Sequence, residues 1–142
     1  MANTISHMNL IRASWTVLAV ALLGFAIFES VKYGWVAAAV VIAFAVMPDV
    51  ALIGAFREPG LMRPSHVRLY NLLHTPWIPL ALIAVSITVP LPPLGLGLRG
   101  GLELFLAGLA WLLHIAIDRA VGYGLREPGG SIRPVGVRRV PA

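Results

Sequence analysis

"WLLHIAIDRAVGYGL", residues 111–125, opens as a membrane helix and then places His114, Asp118 and Arg119 within six positions of one another. Ionisable side chains inside a bilayer cost a few kcal/mol each on insertion scales, so they face the interior of a helix bundle and mark sites. His114 and Asp118 are four residues apart and project from one helix face, whereas Arg119 points about 100° further round. "GYG" at 122–124 then ends the helix: two glycines let the chain turn, and Tyr123 sits at headgroup level, with a lid over a pocket as its functional alternative.

The rest of the chain supports a membrane reading. Its 142 residues are 58% hydrophobic and 12% charged, and its mean hydropathy is +0.85, which no ordinary water-soluble domain of this length shows. Four stretches approach the roughly 20 residues a helix needs to cross a hydrocarbon core. They lie at about 12–30, 34–56, 69–89 and 101–121, so the fold class is all-α, a polytopic membrane four-helix bundle in a single domain over 1–142. A stiff Pro-Gly linker, "PLPPLGLGLRGG", joins the last two, and 126–142 forms a polar tail too broken to be a helix. No internal repeat and no soluble domain is expected. The first span carries no clear cleavage site and is read as retained, and the opening "MANTISHM" reads equally as a natural start or as an expression leader.

Eleven Lys and Arg against six Asp and Glu give a formal charge of +5. In alternating helices one side carries Arg12, Arg57, Arg63, Arg68, Arg126, Arg133, Arg138 and Arg139, while the other carries only Lys32 and Arg99. The positive-inside rule then places both termini in the cytoplasm. The basic balance reports orientation rather than nucleic acid, because no basic, aromatic-interleaved surface is present. With no cysteine in the chain, disulfides, thiolate nucleophiles, iron–sulfur clusters and Cys-ligated zinc are excluded.

Counting about 1.5 Å per residue inward from the flanking arginines, Asp49 lies roughly 12 Å from Arg57, His74 roughly 9 Å from Arg68, and Asp118 roughly 12 Å from Arg126. Three helices thus deliver polar side chains to one depth in the cytoplasmic half. Asn71 joins His74 on its face, three residues away. Asp49, His74, His114 and Asp118 are enough to ligate a divalent cation such as Zn, Mn or Fe, with Asn71 as a further oxygen ligand or orienter. Arg119 is expected to pair with Asp49, to bind a phosphate or to snorkel to the interface. Two further readings stay open. His74 and His114 on different helices also suit bis-histidine haem, although the neighbouring acids crowd such a pocket; and the same residues serve equally as a buried hydrogen-bonded network that fixes helix register.

The residues "PD" at 48–49, "YNLLHTPWIP" at 70–79 and "HIAIDRAVGYGL" at 114–125 resemble a family of small bacterial four-helix integral membrane proteins catalogued as a domain of unknown function. Its pattern reads PD, YN-x-x-H-x-x-x-x-P, then H-I-x-x-DR-x-x-GYGL. The resemblance spans helices two to four and implies a multi-pass protein of the bacterial inner membrane in which Tyr70, Asn71 and Tyr123 support the Asp and His set. Here the tail after GYGL departs from the family's Lys and Thr-His-Leu pattern, so the resemblance assigns the tail no role. A looser similarity is to membrane-bound metal-dependent hydrolases, which also place Asp and His on short membrane helices.

The leading expectation is therefore a divalent-metal-dependent hydrolase of a lipid-linked or amphipathic substrate, with Asp49, Asp118 and Arg119 as catalytic residues. The rivals are a non-enzymatic subunit or assembly factor of a membrane complex and a haem electron carrier. Expected partners are the lipid bilayer and other membrane subunits or further copies of the chain.

Overall fold

The structure, a computed structural model, describes residues 2–89 and 101–136, with side chains from His7 onward. The linker from Pro90 to Gly100, with Arg99, and the tail residues 137–142, with Arg138 and Arg139, lie outside the described residues. Four helical stretches are long and apolar enough to cross a membrane: His7–Tyr33, Trp35–Leu52, Pro64–Thr88 and Leu102–Val121. They are built from α1 (Ala2–Tyr33), α2 (Trp35–Val46) with a 3-10 segment (Met47–Leu52), α3 (Pro64–Leu73) with α4 (Trp77–Thr88), and α5 (Leu102–Val121).

The last helix is the axis of the bundle. In α5, 61% of the most apolar stretch is buried, against 11–22% in the other three spans, because α1, α2 and α4 all pack on it. Large side chains on the outer faces, such as Val17, Val31 and Ile87, stand exposed; in an apolar solvent that is no cost, and these faces meet lipid. Gly108 lets α4 come close, since a Cβ there would lie 2.8 Å from the Pro79 carbonyl oxygen. Such small-residue contacts, rather than hydrophobic burial, hold membrane helices together.

Three spans differ from their sequence-based bounds, each for a local reason. The first begins at Ala2 rather than near residue 12, since nothing before Arg12 breaks a helix. The second is not one helix over 34–56. Its α-helical part stops at Val46, where Pro48 enters the first positions of the 3-10 segment, lacking the N–H that an α-helix interior needs. Gly54, at φ 65, then turns the chain into a two-stranded antiparallel hairpin, β1 (Phe56–Glu58) and β2 (Leu61–Met62). The third span, expected at 69–89, begins at Pro64 and breaks at His74, Thr75 and Pro76, because the residue before a proline is pushed out of the α region.

A break inside a bilayer frees backbone carbonyls that something must satisfy. Here α5 does so. Trp111 Nε1 donates to the Leu73 carbonyl at 2.6 Å and Arg119 Nη2 to that of His74 at 2.8 Å. The C-terminal end of α5 is closed by α1: Arg12 donates Nε to Ala120 O at 3.0 Å and Nη2 to Val121 O at 3.2 Å.

Residues 126–136 of the polar tail are non-helical and return to the bundle. Arg126 pairs with Ile132 as an antiparallel bridge, and Met62 N donates to Gly130 O at 3.0 Å, joining this turn to the β1–β2 hairpin. The tetrapeptide Arg-Glu-Pro-Gly occurs at 57–60 and again at 126–129. This short repeat escapes a search for longer periodicities, and its two copies form the adjoining turns that wall one end of the bundle.

Candidate metal centre

Both helix breaks deliver a candidate ligand. Asp49 follows Pro48 in the 3-10 segment, and His74 caps the C-terminus of α3 just before Pro76. His114 and Asp118, one turn apart on α5, face them. The rings of His74 and His114 meet edge to face, 5.3 Å between centroids, and their Nε2 atoms lie 3.4 Å apart. His74 Nε2 is 3.9 Å from Asp49 Oδ1 and 3.5 Å from Asp118 Oδ2. For His114 Nε2 the same distances are 3.6 and 3.8 Å.

The backbone decides which ring nitrogens carry protons. His74 Nδ1 lies 2.9 Å from the Tyr70 carbonyl, and His114 Nδ1 lies 2.8 Å from that of Ala45. A carbonyl only accepts, so each Nδ1 is the N–H and donates. In the neutral imidazoles both Nε2 atoms are then lone-pair acceptors. They point at one another and at two carboxylates. With both imidazoles neutral and both acids ionised, two Nε2 and two carboxylate oxygens converge with no donor among them, which is repulsive unless a proton or a metal ion sits between them.

The spacing suits an ion. Donor atoms of Asp49, His74 and His114 all lie within 4.8 Å of one another, and Asp118 adds its own two short contacts to the imidazoles. Five of the six pairings among these side chains fall between 3.4 and 3.9 Å, while Asp118 stands outside the compact group of Asp49, His74 and His114. A four-coordinate shell with bonds of about 2.0–2.2 Å has edges of about 3.3–3.6 Å. The carbonyl on each Nδ1 is the outer partner that metal-binding imidazoles ordinarily carry, since it fixes ring and tautomer. Haem is poorly matched: between Nε2 atoms 3.4 Å apart, with carboxylate oxygens in the same gap, a macrocycle has no room.

The two acids differ in access. Asp118 is 20% exposed and Asp49 47%, because Asp49 opens into a cleft of about 430 Å³. Leu52 and Phe56 form its apolar wall; Tyr70, His74, Asp118, Tyr123 and Arg126 form the polar one. Tyr70 stacks on His74 at 3.9 Å between centroids, with the rings 17° from parallel, and its hydroxyl donates to Gly124 O at 3.4 Å. Tyr123, half-exposed, stands at the mouth.

Two expected site residues have other work. Arg119 does not line the cleft. It is 8% exposed, and its fork is used on carbonyls, Nη1 to Tyr123 at 2.5 Å and Nη2 to His74 at 2.8 Å. It ties the helix break of the third span to the end of α5. Asn71 likewise offers no oxygen to the centre. Its Oδ1 accepts from Arg126 N at 2.7 Å and its Nδ2 donates to Arg126 O at 2.9 Å, the two-point pairing one strand makes with another. That clamp brings Arg126, which depth counting along single helices does not reach, into the cleft.

Residues 10–131 match the family described as Domain of unknown function (DUF4260), and the chain belongs to that family. No curated protein and no solved structure matches the chain.

Proposed function

We propose that this member of the DUF4260 family binds one divalent cation through Asp49, His74, His114 and Asp118 and uses it to hydrolyse a lipid-linked or amphipathic substrate at the membrane surface. The observation that carries the reading is the convergence of two Nε2 lone pairs and two carboxylates, each imidazole held by a carbonyl on its far side. Imidazole and carboxylate together suit Zn, Mn or Fe. Arg12, Arg57, Arg63, Arg68 and Arg126 belong to the spans and turns at this end of the chain's helices, so we place the site on the cytoplasmic side of a bacterial inner membrane.

A divalent ion held by these residues would supply Lewis acidity and activate a water at neutral pH. Asp49, the more exposed of the two acids lining the cleft, would accept the attacking water's proton and return it to the departing alkoxide. Asp118 and the two imidazoles stay as ligands. The Leu52 and Phe56 wall shelters the apolar part of the substrate beside the centre.

Turnover tests this. Purified protein supplied with Mn or Zn is expected to cleave at least one member of a panel of ester and phosphoester amphiphiles, and Asp49→Asn to lower that rate by about a hundredfold or more. A metal-loaded protein that cleaves none, or an Asp49→Asn variant as fast as the parent, would overturn the assignment of hydrolysis.

A further inference from the structure

We infer that Arg126 is the anion-binding residue of the cleft and that the cleft's occupant carries a phosphoryl group. The inference names the substrate class for the metal reading above and rests on it for the charge balance of the site. Arg126 is held from several sides. Asn71 clamps its backbone, Nη1 donates to Gly60 O at 2.7 Å and to Gly130 O at 3.2 Å, and the guanidinium lies between Phe56 and Tyr70, 5.3 and 5.4 Å from their centroids. Yet its hydrogen-bonding capacity is only partly used. Nε is buried with no partner among the described residues, although Arg126 lines the open cleft. An arginine that merely pinned the two Arg-Glu-Pro-Gly turns together would have no reason to leave a buried charged donor unmatched.

The position relates Arg126 to the ion. The Tyr70 ring contacts the guanidinium and also stacks on His74, so Tyr70 joins Arg126 to the cation site along one wall. A divalent ion cancels the charge of Asp49 and Asp118, and the imidazoles with a single proton are neutral. Among the described residues Arg126, which lines the cleft, makes no ion pair with a carboxylate, and so its positive charge is open to an anion there. A carboxylate can engage an arginine fork or an ion; a tetrahedral phosphoryl group has oxygens enough for both. The same chemistry is offered by a lipid headgroup and by free phosphate.

The test uses the full chain in nonionic detergent, with calorimetric titration of inorganic phosphate and of octyl phosphate, each with and without Zn. Arg126→Gln is expected to weaken octyl phosphate binding by at least about tenfold while leaving the metal content of the protein unchanged, a combination that loss of a purely structural staple would not give. If Arg126→Gln does not fold, Arg126→Lys keeps the charge without the fork and is expected to lose about fivefold or more. Octyl phosphate binding more tightly than phosphate assigns the group to an amphiphile, and equal affinities assign it to a soluble phosphate; both uphold the inference. Phosphate binding that needs Arg126 in a protein that takes up no metal upholds the anion site and sinks the metal reading alone. Unaltered octyl phosphate affinity in folded Arg126→Gln or Arg126→Lys, or no binding by the metal-loaded parent, overturns the inference.

Discussion

Asp118→Asn is expected to change thermal stability in opposite directions with and without metal. In protein stripped by a chelator at mildly alkaline pH, the amide places an N–H donor among acceptors, 3.5 Å from His74 Nε2 and 3.8 Å from His114 Nε2 in the parent geometry. A repulsive contact becomes a hydrogen bond, and the unfolding midpoint rises. With excess Zn or Mn the parent gains the stabilisation of a bound ligand, RT ln(1 + [L]/Kd), while the variant, one anionic ligand short, loses about a hundredfold or more in affinity and most of that gain. Thermal unfolding of the two proteins in both conditions therefore reverses their order. A network whose role is only to cement the helices predicts the parent as the more stable in both.

Arg119→Met is expected to be the most destabilising change among the polar residues, by about 2–4 kcal/mol, because the His74 and Tyr123 carbonyls are left without their charged donors in a buried setting. The His74 carbonyl belongs to a ligand, so metal affinity falls along with stability. An anion-binding role for Arg119 predicts the reverse pattern: stability near that of the parent and metal retained, with only substrate binding lost. Denaturation monitored alongside metal content separates the two. Met keeps the apolar bulk, so the loss reads the hydrogen bonds rather than a cavity.

These expectations show where a sequence is informative about a membrane site and where it is not. Hydropathy locates four spans, and helical rise alone puts Asp49, His74, His114 and Asp118 in one layer, which the structure brings to within 3.5–3.9 Å across the four His–Asp pairs. That works because depth in a bilayer is a one-dimensional coordinate that a regular helix reports directly. What depth cannot give is azimuth and backbone pairing. Arg119 shares the layer but points at freed carbonyls, since the break before Pro76 creates acceptors that a count along intact helices never sees. Asn71 sits one turn from His74 in the role of a strand, pairing with Arg126. Arg126 itself follows the last span, and only the recurrence of Arg-Glu-Pro-Gly at 57–60 and 126–129 marked the two turns as partners. Pro48 and Pro76 are devices of the site: each ends a helix beside a candidate ligand, and the interrupted ladders and last turns present the carbonyls that Trp111, Arg119 and His114 take up.

The central claim is that four acceptors on the 3-10 segment, the α3 terminus and α5 are assembled around a divalent cation. Elemental analysis by mass spectrometry, on protein purified in mild detergent without chelator, tests it most directly, with a visible spectrum of the same sample. The account predicts close to one transition-metal ion per chain, lost from a His74→Ala and His114→Ala double variant that remains folded, and no Soret band. A folded parent that contains no metal and gains no stability when Zn, Mn or Fe is added would contradict it.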